Sequence, residues 1–122
     1  QTIYYAGPCP AKPGSVIGSC GPTTSGRMDP YASRLLDLGL LAMIGKGDRS
    51  DEVISAIKRN GAVYLAAIGG AGALYADAIK EVNVIAYDDL GPESVKRLVV
   101  EDMPVTVVID SFGNDLYRMH EK

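Results

Sequence analysis

Apolar runs alternate with amphipathic helical patterns through the middle of this 122-residue chain. Buried strands are predicted at residues 40–44, 62–68 and 82–87, and helices are predicted at 29–39, 50–60 and 69–80. Strands that alternate with helices in this order favour a parallel sheet with right-handed crossover connections. The fold class predicted is therefore α/β, with a largely parallel sheet and crossover helices.

The first predicted helix has clear signals at its start. Asp29 is predicted as its N-cap and Pro30 as its first helical residue, positions that these residue types prefer. Tyr31, Leu35 and Leu38 then recur at helical spacing.

Two further segments lie outside the alternation. Residues 3–6 are predicted as a strand, and residues 7–26 are dense in Gly, Pro, Ser and Thr, which indicates an ordered loop. Compact domains rarely carry so long a loop without using it, so this loop is a functional candidate. Near the other end, residues 105–110 and 115–119 are predicted to pair as a C-terminal β-hairpin.

Size and composition limit the class of protein. The length fits one domain, so residues 1–122 are interpreted as a single unit. The 47% hydrophobic content, 22% charge and net charge of -3 fit an ordinary soluble globular protein and disfavour nucleic acid as a partner. No apolar run approaches the roughly 20 residues of a membrane span, and no signal peptide pattern is found, so cytoplasmic placement is expected. The absence of an initial Met indicates a fragment or a processed chain.

The segment 18–30 concentrates groups that bind anions. It lies just before a predicted helix, where unpaired backbone amides and the helix dipole favour negative charge. Arg27 adds a planar fork of donors suited to a carboxylate or phosphate, and Thr23, Thr24 and Ser25 add neutral hydrogen-bonding groups. The alternative from the residues alone is a plain helix cap beside a surface arginine.

Residues 21–31, Gly-Pro-Thr-Thr-Ser-Gly-Arg-Met-Asp-Pro-Tyr, resemble the signature of the iron-sulfur fumarases and tartrate dehydratases, in their β-subunit or C-terminal domain. The likeness continues at 5–8, 44–47, 99–104 and 110–114 and covers essentially the whole chain. It implies a swivelling β/β/α domain and reversible hydration of a four-carbon dicarboxylate. Fumarate and malate are favoured over tartrate because residues 26–29 are closer to the fumarase form. A family segment that carries an Arg and a His is absent from the start, so a missing N-terminal segment is expected.

The resemblance also implies roles for individual residues. Thr23 would lie near the substrate carbon and help to move the proton, whereas Arg27 would clamp a substrate carboxylate. Lys46 would be a second cationic contact, with Thr24 also binding substrate; the alternative for Lys46 is a solvated loop lysine.

A [4Fe-4S] cluster is implied by the same resemblance, ligated by an α-subunit or N-terminal domain and not by this chain. Cys9 and Cys20 would then not be cluster ligands, and two cysteines are too few for the usual set. An oligomer with that cluster-bearing partner is expected, no metal is assigned to this chain, and the isolated chain is expected to be inactive. The rival class is a non-enzymatic module that binds an anionic metabolite.

Three other features receive structural interpretations. Gly69-Gly70-Ala71-Gly72 lacks the full spacing of a nucleotide-binding loop and is interpreted as a site of close packing. Cys20 has no histidine nearby in sequence and is interpreted as a packed thiol. His120 lies near the chain end and is not assigned to a site.

Overall fold

The computed structural model describes residues 1–8, 11, 13–67 and 72–119, which fall into two compact units. Unit 1 contains residues 1–5, 23–67 and 105–119, and unit 2 contains the described residues of 6–22 and 72–104. Each unit is therefore built from separate segments of the chain.

The described residues form eight strands and four α-helices. The strands are β1 (Thr2–Tyr4), β2 (Ala6–Pro8), β3 (Cys20–Pro22), β4 (Ala42–Gly45), β5 (Val63–Ala66), β6 (Ile79–Ala86), β7 (Val95–Val100) and β8 (Thr106–Ile109). The helices are α1 (Asp29–Asp37), α2 (Asp51–Asn60), α3 (Gly72–Ala78) and α4 (Leu116–Met119), with 3-10 turns at Ser25–Met28 and Asp88–Glu93.

Unit 1 is built on a four-stranded sheet in the order β1-β4-β5-β8. Strands β1, β4 and β5 are parallel, with Tyr4 opposite Ile44 and Gly45 opposite Ala66. Strand β8 is antiparallel to β5 at the edge. The predicted α/β class with a largely parallel sheet and crossover helices is confirmed.

Helix α2 begins and ends where the sequence predicts. The Ser50 hydroxyl accepts a hydrogen bond from the Val53 amide at 3.3 Å, and so caps the first turn. Gly61 ends the helix in the left-handed conformation, with a φ of 64°. The serine cap and the glycine stop thus mark the two ends of the helix.

The core of unit 1 lies between the sheet and helices α1 and α2. Its largest fully buried side chains are Leu36, Met43, Val53, Ile57, Tyr64 and Ile109. Apolar burial of this kind supplies most of the driving force for folding.

Helix α1 does not pack through the face that its apolar spacing predicts. It buries Ala32 and Leu36, whereas Tyr31, Leu35 and Leu38 are exposed. The residues whose recurrence predicts this helix therefore form a solvent-facing surface and do not contribute to the core.

Unit 2 contains two antiparallel pairs, β2 with β3 and β6 with β7. Helix α3 is shorter than the predicted helix at 69–80, because Ile79 already begins β6. A Cβ atom on Gly72 would lie 2.1 Å from the Ser19 hydroxyl oxygen, so the interpretation as close packing holds at this glycine. Residues 69–71 of the same motif lie outside the described residues.

The C-terminal hairpin predicted for residues 115–119 is wrong in its second strand. Asp115 forms a single antiparallel bridge with Ile109, and the chain then enters α4. The Asp115 carboxylate accepts a hydrogen bond from the Tyr117 amide at 2.9 Å, which favours a helical turn at this point. Among the described residues, no helix combines the length and apolar content that crossing a membrane requires.

Candidate functional site

Two loops of unit 1 meet at the end of strand β4. Thr24 and Lys46 form an isolated parallel bridge, and the Ser25 amide donates to the Lys46 carbonyl at 2.9 Å. The amide of Thr23, the residue before Thr24, donates a hydrogen bond to the Tyr5 carbonyl at 2.8 Å, which holds Thr23 against the end of β1. Thr23, Thr24 and Lys46 are all exposed. The fold thus brings together residues that are about twenty positions apart in the sequence.

Arg27 lies in the 3-10 turn Ser25–Met28 that leads into α1, and it is also exposed. Within the described residues, neither Arg27 nor Lys46 has an ion-pair partner. Thr24, which precedes the turn, makes no side-chain capping hydrogen bond. The Thr24 hydroxyl is therefore not used as a cap, and the first amide of the turn, that of Ser25, is bonded to the Lys46 carbonyl instead.

Asp29 is not the N-cap that the sequence predicts. It is the first residue of α1, preceded by Met28 as N-cap. Its carboxylate instead accepts from Arg49 Nε at 2.7 Å and from the Ser50 amide at 2.7 Å. Arg49 and Ser50 provide a charged partner and a helix-terminal amide, which bind a carboxylate more strongly than a cap position does. Asp29 therefore joins the start of α1 to the start of α2.

Arg49 occupies the interior of unit 1 beneath the two loops. Its side chain is 0% exposed, and its Cζ atom lies 4.7 Å from the ring centroid of Tyr64 and 5.5 Å from that of Tyr5. Aromatic faces stabilise a desolvated guanidinium, and the Asp29 carboxylate balances its charge. Since Asp29 is neutralised by Arg49, its charge does not cancel that of Arg27.

Tyr64 connects both loops through its hydroxyl. The hydroxyl lies 2.9 Å from Ser25 Oγ, and it donates to the Gly47 carbonyl at 3.0 Å. Burial raises the pKa of the Tyr64 phenol above its ordinary value, so the group remains a neutral donor. Ser25 is itself fully buried, which removes it from the exposed groups that the sequence assigned to anion binding.

Gly45 is required by the close approach of the two loops. A Cβ atom at this position would lie 1.8 Å from Ser25 Oγ and 3.3 Å from Tyr5 Cδ2. Its neighbour Gly47 has a φ of 88°, in the left-handed region that favours glycine. The two glycines that flank Lys46 thus set the path of its loop.

The arrangement can bind an anion with two separate cationic groups. Arg27 and Lys46 project from loops that Ser25, Tyr64 and Asp29 hold in place. A planar guanidinium can engage a carboxylate in bidentate fashion, and an ammonium provides a second charged donor. Such a pair is suited to a ligand with two negative ends.

Arg49 and Tyr64 are the residues that the sequence did not identify. Arg49 follows the Gly-Lys-Gly-Asp loop and has no sequence signal that separates it from a surface arginine. Tyr64 carried a weak signal, because a tyrosine inside a buried apolar run needs a hydrogen-bond partner for its hydroxyl. That signal does not reveal which partner.

The described residues do not suit an iron-sulfur cluster. Among them, no group of three His, Cys, Asp or Glu side chains is arranged to hold a metal ion. Cys20 is 1% exposed, consistent with a packed thiol. Cys9 and His120 lie outside the described residues.

The fold and the two exposed cationic residues define an α/β domain with a candidate anion site at the end of a parallel strand. The family model for the fumarase C-terminus matches residues 1–120. The chain therefore belongs to the fumarase C-terminus family, and the predicted resemblance is confirmed.

Individual relatives agree with the family. The chain is 45% identical over 117 residues to Fumarate hydratase 2 of Leishmania major, which covers 94% of this chain and 21% of the relative. It is 42% identical over 118 residues to Fumarate hydratase class I, aerobic, of Escherichia coli, a match that covers 95% of this chain and 22% of the relative. It is 42% identical over 122 residues to a protein named as L(+)-tartrate dehydratase subunit beta in Methanocaldococcus jannaschii, a match that covers 95% of this chain and 63% of the relative. The chain spans about a fifth of the length of the fumarate hydratases that it matches.

Proposed function

We propose that this chain is the carboxylate-binding part of an iron-sulfur hydro-lyase that interconverts fumarate and L-malate. The observation that carries the proposal is the junction at Thr24 and Lys46, which brings the loop that leads to Arg27 against the loop that carries Lys46. A four-carbon dicarboxylate has a negative group at each end, and it matches a site with two cationic groups. The class I fumarate hydratases among the relatives support this choice of substrate.

Each site residue has one task in this proposal. Arg27 binds one substrate carboxylate through its guanidinium, and Lys46 binds the other through its ammonium. Thr24 Oγ1 adds a hydrogen bond that orients the bound substrate. Holding both ends fixes the central carbons, and such orientation lowers the barrier to proton removal.

Thr23 is assigned to the proton transfer. Thr23 is exposed, and its amide donates a hydrogen bond to the Tyr5 carbonyl. A threonine hydroxyl is a weak base in water, because its alkoxide is strongly disfavoured. Cations and helix-terminal amides nearby favour the charged form, so Arg27 and Lys46 would assist the Oγ1 atom of Thr23 to accept and return the proton at carbon.

The remaining machinery lies outside this chain in the proposal. A [4Fe-4S] cluster, ligated by a cluster-bearing partner polypeptide or domain, supplies the Lewis acid chemistry of the hydro-lyase. The protein acts as an oligomer with this partner, in the cytoplasm. The isolated chain is expected to be inactive.

A tartrate dehydratase is the second candidate. The Methanocaldococcus jannaschii relative with that name matches 95% of this chain. The match covers 63% of the length of that relative, compared with 22% of the length of the Escherichia coli fumarate hydratase. Tartrate differs from malate by one hydroxyl group, so the same pair of cationic groups serves either substrate. A module that binds an anionic metabolite without chemistry is the third candidate.

The test is anaerobic fumarate hydration, followed by ultraviolet absorbance, with this chain and its iron-reconstituted cluster-bearing partner. Arg27→Ala is expected to lower kcat/KM by about 100-fold or more, because it removes a charged donor that orients the substrate. The matched control is Arg97→Ala, an exposed arginine on β7, which is expected to leave activity unchanged. Equal activity of the Arg27→Ala and wild-type mixtures would contradict the site. An intact complex that neither hydrates fumarate nor dehydrates tartrate would favour the binding module.

A further inference from the structure

An exposed apolar stripe runs along helix α1 and the two residues that flank it, next to the proposed substrate site. The stripe consists of Met28, Tyr31, Leu35 and Leu38, which are 40%, 63%, 37% and 74% exposed. Their spacing of three, four and three residues places them within an arc of about 80° on a helix of 3.6 residues per turn. This spacing is the one by which helices pack along a shared seam.

The stripe adjoins the face by which α1 packs on its own unit. That face carries Ala32 and Leu36, each 1% exposed, and it lies about 100° around the helix from the stripe. Together the stripe and the packed face span about 160° of the helix, more than the roughly 100° that a surface helix commonly buries. Unit 1 covers only the part that carries Ala32 and Leu36, which leaves the stripe available to a covering partner.

We propose that the cluster-bearing polypeptide of the hydro-lyase docks on this stripe with an apolar helix, so that the docked helix stands beside the substrate site. The inference rests on the proposed function, and it adds where the partner binds. About four-fifths of the length of the matched fumarate hydratases lies outside the region that this chain covers, so the family supplies a large partner surface. Met28 directly follows Arg27, and a partner seated on the stripe therefore closes one side of the site.

Charge along the stripe specifies the partner further. Arg34 is exposed and lies beside the stripe. It comes seven residues after Arg27, about two helical turns, and so lies on the same side of the stripe as Arg27. Among the described residues Arg34 has no ion-pair partner, whereas Asp37 on another face is paired with Arg59. A partner helix with leucine-like residues at matching spacing and a carboxylate opposite Arg34 fits this pattern.

The test compares binding of the cluster-bearing polypeptide, reconstituted anaerobically with iron and sulfide, to wild-type and variant chains by calorimetry. The double variant Tyr31→Gln/Leu38→Gln changes the two most exposed stripe residues to good helix formers, which preserves α1. Its dissociation constant is expected to rise at least about tenfold, since both changes remove apolar contact area. Phe112→Gln, at an apolar residue of unit 1 that is 76% exposed, is the matched control and is expected to change affinity less than twofold.

Unchanged affinity of the double variant, with wild-type circular dichroism and urea midpoint, would overturn the proposal. Absence of any complex between wild-type chain and cluster-bearing polypeptide would overturn it as well. If the wild-type chain sediments as a dimer that the double variant loses while it still binds the partner, the stripe is instead a contact between two copies. Complex formation that depends on the stripe but shows no hydration activity would retain the docking surface and reject the proposed function.

Discussion

The buried pair of Asp29 and Arg49 makes a quantitative prediction about stability. Asp29→Asn keeps the shape of the side chain but leaves the Arg49 guanidinium uncompensated in a position where it is 0% exposed. Breaking a buried ion pair from one side costs about 3–5 kcal/mol, compared with about 5–15 kcal/mol for the total stability of a typical domain. Among the described residues Arg49 Nη2 has no hydrogen-bond partner, so the charge depends on Asp29 and the two tyrosine rings.

Urea unfolding followed by circular dichroism measures this cost. At an m value of about 1.5–2 kcal/mol per M, Asp29→Asn is expected to lower the midpoint by about 1.5–3 M. Asp37→Asn is the matched control, because Asp37 also pairs with an arginine but both side chains are about half exposed. Exposed pairs contribute little, so its midpoint is expected to stay close to that of the wild type. Equal midpoints for the two variants would refute the view that the Asp29 pair fixes the two loops.

Two further predictions concern the contacts above this pair. Gly45→Ala is expected to cost about 1–3 kcal/mol of unfolding free energy, because its methyl group overlaps Ser25 Oγ, and an added Ser25→Ala change is expected to restore part of that loss in the same urea assay. Burial raises the pKa of Tyr64 above its ordinary value of 10.0, so the folded state retains the phenol proton longer than the unfolded state does. The stability linked to this group is fully present below about pH 10 and is lost as the pH rises above it. Urea midpoints measured between about pH 9 and 11 are therefore expected to decline less for Tyr64→Phe than for the wild type. An equally steep decline in the Phe variant would show that Tyr64 titrates with a similar pKa in both states.

Sequence patterns predicted the fold where short-range signals determine it. Helix α2, predicted at 50–60, has a serine cap and a glycine stop in adjacent sequence. The alternation of strands and helices likewise predicted the parallel sheet. The C-terminal hairpin was predicted from the turn residues 111–114, and a local contact, the bond from the Tyr117 amide to the Asp115 carboxylate, starts α4 where the second strand was expected.

The candidate site was predictable in its exposed residues and not in its supports. The motif resemblance named Thr23, Arg27 and Lys46, and the fold brings their loops together, although their roles remain predictions. Asp29 was misassigned because its partner Arg49 lies 20 residues away and nothing in the sequence links the two. Tertiary contacts of this kind leave no periodic trace.

The segmented layout of unit 1 also affects how the chain matures during synthesis. Strand β5 ends at Ala66, but its antiparallel partner β8 begins at Thr106, after most of unit 2 has been made. At about 5–20 residues per second, the open edge of β5 waits about 2–8 s for that partner to leave the ribosome. An unpaired strand edge is a template for association with other chains. The nascent protein therefore has a defined interval in which a chaperone that shields this edge would increase the yield of folded protein.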